Sequence, residues 1–121
     1  MKLINQINSH TCVHACLSMV SGFPIRGIIE ELGDQALELK EEIGFLIKHG
    51  ISFNQLIYTT MFNGTYLVTV PSLNKKGYHR VVVICDDGDV EVFDPNEGLD
   101  KEFYDQVKFL NSRWSEVLQV A

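Results

Sequence analysis

Between Gln6 and Val20 the segment QINSHTCVHACLSMV holds two cysteines, two histidines and a glutamine beside an apolar helical stripe. Thiols and imidazoles this dense suggest four chemistries. His10, Cys12, His14 and Cys16 make a soft nitrogen–sulfur ligand set of the kind zinc takes. On a helix, however, residues two apart sit about 200° round, so His14 points away from both cysteines. A redox pair commonly shows Cys-x-x-Cys spacing, and here it is Cys-x-x-x-Cys. Free cysteines also pack as small buried hydrophobes, which suits Cys16 and Cys85 on the apolar sides of their elements. For Cys12 a fourth role stands beside that one. A cysteine in the first helical turn faces unpaired backbone N–H groups and the positive end of the helix dipole. Both favour the thiolate, the nucleophilic form.

A nucleophile needs a base, a group to orient the base and a donor for the oxyanion. The second half of the chain offers them. GYHRVVVI places His79 at the start of an apolar strand, and VEVFDPNEG ends the next one with Asp94. A tight hairpin at DDGD, Asp86 to Asp89, pairs residues whose numbers sum to about 175. His79 then lies beside or diagonal to residues 94 to 96, so Asp94 or Asn96 can reach its ring. That is the layout of a Cys-His-Asp/Asn triad.

Gln6, six residues ahead of Cys12, completes a pattern that resembles papain-like cysteine peptidases. ACLSM after the cysteine, GYHRVVV and FDPNEG resemble more narrowly the bacteriocin-processing (double-glycine-leader) peptidases and their stand-alone relatives. The resemblance spans roughly residues 4 to 115. It implies a minimal papain-like fold, catalytic Cys12, His79 and Asp94, and a Gln6 side chain that helps form the oxyanion hole. It implies cleavage of a peptide or protein amide through a covalent thioester, with no cofactor and no metal. Glutamine deamidases and acyl transferases use the same constellation, and fold does not choose among them. Val13 stands where the family commonly has glycine, which motivates a third reading: a non-catalytic binding module that retains the triad residues.

The elements that must position these residues follow an α+β order. Ser9 or Thr11 can cap a helix from Cys12 that ends at SGFP. IRGIIEEL suits a second helix closed by Gly33. Asp34 can cap a third over QALELKEEIGFLIKHG, with Leu37, Leu39, Ile43, Leu46 and Ile47 as its apolar stripe. TYLVTV, YHRVVVIC and VEVFD read as antiparallel strands, residues 101 to 109 as a short helix, and SEVLQVA as a last strand. The expected architecture is therefore N-terminal helices packed on a C-terminal antiparallel sheet.

The 121 residues, 45% apolar, suit one domain with its own core. A net charge of −6 and no basic run beyond Lys75-Lys76 argue against a nucleic-acid surface. No segment approaches the roughly 18 apolar residues of a membrane span. MKLINQINSHTC lacks a continuous apolar segment, so a secretory signal is not expected. Three cysteines, an odd count, suggest thiols in a reducing compartment. The expected location is the cytoplasm, or export by a dedicated secretion system. The expected partners are a peptide or protein substrate and a regulatory protein covering the cleft mouth. Exposed apolar side chains are expected to concentrate at that mouth, between residues 6 to 14 and 76 to 80.

Overall fold

A computed structural model describes residues 1–57 and 61–120. Three helices come first: α1 (Cys12–Ser21), α2 (Ile25–Leu32) and α3 (Leu39–Lys48). The strands β1 (Phe53–Leu56), β2 (Gly64–Pro71), β3 (Tyr78–Asp86), β4 (Asp89–Phe93) and β5 (Ser115–Val120) follow, with a short α4 (Gln106–Leu110) before β5. They form one antiparallel sheet in the order β1-β5-β2-β3-β4. The class is α+β, as expected. No helix among the described residues is long and apolar enough to cross a membrane.

Both faces of the sheet are covered, which explains why β2 and β3 are nearly continuous apolar runs. Leu67, Val82, Phe93, Leu118 and Val120 pack with Cys16, Leu17 and Met19 of α1, Ile28 of α2 and Phe45 and Leu46 of α3. On the other side Val68, Val70, Val81, Val83 and Val117 pack with Tyr104, Phe109 and Trp114. Successive strand residues point to opposite faces, so the alternating membership of Val81, Val82 and Val83 reports a pleat buried on both sides.

The DDGD hairpin has the expected register. Asp86 pairs with Asp89 and Val82 with Phe93. Asp87 and Gly88 take φ values of 48° and 85°, the two left-handed positions of a tight two-residue turn. The ladder stops at Phe93, and the chain turns through Asp94 and Pro95 at the mouth of β3.

Several expectations need correction. Helix α3 starts at Leu39, because Glu38 and Glu41 form a reciprocal capping box that fixes the start after Asp34 has been passed. Its buried face is Glu42, Phe45 and Leu46, whereas Ile47 is 65% exposed. The helix expected over 101–109 is confined to Gln106–Leu110, with Asp105 accepting from the Lys108 N–H. Strand β1 was not expected at all. Ala121, the end of the expected SEVLQVA strand, lies outside the described residues. Exposed apolar side chains are not concentrated at the cleft mouth: beside Ile7 and Tyr78 there, Ile57, Phe62, Val107 and Leu110 are exposed elsewhere.

Candidate active site

Helix α1 begins at Cys12 and runs straight into the core, with His14, Ala15, Cys16, Leu17, Ser18 and Met19 buried. This anchoring holds Cys12, at the first turn, half-buried at the surface. Thr11 is the N-cap residue, but its side chain makes no capping bond. Its hydroxyl accepts from the N–H groups of Ile7 (2.9 Å) and Asn8 (3.1 Å), pinning the loop that carries Gln6. The helix start is thus left without a side-chain cap for its first backbone donors.

His79 and Asp94 come from β3 and the end of β4. The His79 Nε2–H donates to Asp94 Oδ1 at 2.6 Å. Asp94 is fully buried. It also accepts from the Asn96 N–H at Oδ1 (2.9 Å) and the Tyr104 N–H at Oδ2 (2.7 Å). Three donors compensate the burial of this carboxylate and fix its direction. Since Nε2 is taken, Nδ1 is the nitrogen left for Cys12.

The thiol and the ring shift each other. Burial opposes the charged form of both. For Cys12 the His79 hydrogen bond and charge, with the backbone N–H groups of Arg80 and Val13, outweigh burial and hold the thiol below its ordinary range. For His79 the bonds and charges of Asp94 and Cys12 outweigh it and raise the imidazolium to about 9. Both shifts favour a thiolate–imidazolium pair. Cys16 behaves in the opposite way: buried beneath Cys12, its Sγ–H donates to the Arg80 carbonyl (3.3 Å), and burial pushes its pKa well up. One helical turn separates a thiol whose pKa is held down from one whose pKa is pushed up.

Gln6 lines a hollow of about 230 Å³ together with Cys12, His79 and Asn96. Its backbone N–H donates to the Pro95 carbonyl (3.1 Å), tying the leading loop to the turn after Asp94. One Nε2–H of its side chain donates to the Asn8 carbonyl (2.9 Å), and Oε1 is buried without a partner among the described residues. The second amide N–H is the one available to a ligand.

The structure does not bring the four-residue zinc set together. His14 Nε2–H donates to the Gly33 carbonyl (2.6 Å), and burial lowers its pKa, so it is a neutral core residue. Among the described residues no three His, Cys, Asp or Glu side chains converge as a metal-binding group.

Two residues that the sequence reading passed over sit beside the thiol. Arg80, next to His79, is buried and donates from Nε and Nη2 to the two oxygens of buried Glu42 on α3, the Nε bond at 3.1 Å. Its Nη1 donates to Thr69 Oγ1 (2.9 Å) and to the Glu116 carbonyl. A charge in the apolar run HRVVVI, and another in the apolar stripe of α3, were the available signals. The chain matches no protein-family model and no curated protein.

Proposed function

We propose that the protein is a papain-like thiol hydrolase that cleaves a peptide or protein amide with Cys12, His79, Asp94 and Gln6. The observation that carries this reading is the pairing of Asp94 with His79 beside a Cys12 thiol that the imidazole holds below its ordinary pKa, at an uncapped helix start. A buried cysteine kept for packing has no need of such a pair, and Cys16 shows what one looks like here.

The steps follow from the positions. The Cys12 thiolate attacks the carbonyl carbon, forming the C–S bond while the C=O electrons move to oxygen. That oxyanion is bound by the Cys12 N–H and the second Gln6 amide N–H, each donor contributing roughly 3 kcal/mol in comparable sites. Collapse breaks the C–N bond, and the His79 imidazolium passes its Nδ1 proton to the leaving amine. Water then attacks the thioester and yields its proton to His79, and the C–S bond breaks to restore the thiolate. Asp94 keeps the ring oriented and stabilises its charged form throughout.

Deamidation of a glutamine side chain and acyl transfer to an amine use the same first step. Two hollows that share Cys12 and His79 in their linings, of about 400 and 230 Å³, suit an extended chain crossing the thiol more than a single side chain entering it. Incubation with a mixed peptide library, followed by mass spectrometry, tests the choice. Hydrolysis gives two shortened products, deamidation a gain of about 1 Da on an intact chain. We expect shortened products from the wild type and none from Cys12→Ala. A library left intact by both would favour the binding-module reading.

A further inference from the structure

The hollow of about 400 Å³ runs from Cys12 and His79 past Arg80 and Thr69 to Glu116 on β5. Glu116 is held there in an unusual way. Its φ is +49°, left-handed backbone that disfavours a side chain and that glycine or asparagine would adopt at lower cost. It sits where the β2–β5 register shifts, between the pairs Leu67–Leu118 and Thr69–Ser115, and such irregularities re-aim side chains beside active sites. Two buried groups lock it: Arg80 Nη1 donates to its carbonyl, and the Thr69 hydroxyl donates to its Oε1 at 3.1 Å.

The other two carboxylates along this hollow have cation partners. Glu42 is bound by Arg80, and Glu38 lies 3.8 Å from Lys40. Of the cations, His79 is bound to Asp94, while Lys75 Nζ meets only the Ser9 carbonyl, at 3.3 Å, among the described residues. Of the carboxylates lining it, Glu116 is the one that meets no cation within ion-pair distance among the described residues; its only side-chain partner is a hydroxyl. Resting on the hydrolase reading above, we infer that Glu116 is a specificity-determining residue that takes a cationic side chain, lysine or arginine, of a peptide bound across Cys12.

Three peptide chloromethyl ketones, identical except for lysine, norleucine or glutamate beside the reactive group, provide the test. The Cys12 thiolate displaces chloride, forming a C–S bond as the C–Cl bond breaks, and intact-mass spectrometry reads the rate. Each rate is divided by that of the same protein with iodoacetamide, which removes differences in thiol reactivity. The wild type should label about fivefold faster with the lysine probe than with norleucine, the range of a partly exposed ion pair, and slowest with glutamate. Glu116→Gln, which keeps an acceptor for Thr69, should level the three rates, and Glu116→Lys should reverse their order. Equal rates in the wild type, or a lysine preference that survives Glu116→Gln, would overturn the inference. A lysine preference that is lost in Glu116→Gln, with no cleavage by the wild type of the same peptides carrying an amide in place of the chloromethyl ketone, would instead count against the hydrolase reading and leave the cation subsite standing.

Discussion

Cys12→Ala is expected to lower amide hydrolysis by a factor on the order of 10⁶, below detection, while the protein stays folded. The side chain is half-buried at the helix start, outside both clusters of fully buried residues, so its truncation leaves the core intact. Cys16→Ala should do the reverse. Cys16 is fully buried between α1 and β3, and its loss should lower stability by about 1 kcal/mol with turnover retained. The pair of variants separates nucleophile from core within one turn of one helix. Residual cleavage in Cys12→Ala, or stronger loss of cleavage in Cys16→Ala, would reassign the nucleophile. Cleavage is read by mass spectrometry and folding by circular dichroism.

The second large effect concerns stability. Glu42→Ala should destabilise the fold by about 3–5 kcal/mol, because it strands the buried Arg80 guanidinium without its carboxylate. Against the 5–15 kcal/mol typical of a domain, that is a large share. The double variant Glu42→Leu/Arg80→Met should recover most of the loss, since no charge is then left uncompensated. Urea unfolding at constant slope measures both. If the single variant unfolded at the wild-type midpoint, the ion pair would not be the buried tie between α3 and β3 described above. The same pair matters to the site, since Arg80 holds the Glu116 carbonyl and its own N–H reaches the Cys12 sulfur.

How much of this was legible beforehand depended on how local the signal was. The His79–Asp94 contact could be read because a two-residue turn fixes its own register, and the strand ends follow from it. The start of α1 was legible from Thr11 and the apolar spacing behind Cys12. What Thr11 does was not, because its hydroxyl serves the preceding loop rather than the helix. The start of α3 was misplaced because Gly33-Asp34 offers a cap by residue type, while the operating cap is the reciprocal Glu38–Glu41 box. Strand β1, FNQL, has little apolar pattern of its own and exists because its edge pairs with β5, far along the chain. The Arg80–Glu42 pair joins a helix to a strand 38 residues away, and no local pattern announces such a partner. Glu116 owes its backbone conformation to a register shift, which composition does not encode.

The account rests on His79 drawing the proton from Cys12, and the pH dependence of Cys12 alkylation measures that directly. Iodoacetamide reacts with the thiolate, so the inflection in rate against pH reports when Cys12 ionises. A folded thiol pKa held down by His79 means that the thiolate is present below the unperturbed value of about 8.5, and that it persists as pH rises. The imidazolium raised to about 9 survives up to that pH, so cleavage should rise through the Cys12 inflection and fall again near 9. In His79→Ala burial is opposed only by the backbone N–H groups of Arg80 and Val13, and the inflection should move upward. A wild-type inflection below 8.5 that moves upward in His79→Ala is the predicted result. A wild-type inflection at or above 8.5, or one that His79→Ala leaves in place, would contradict it.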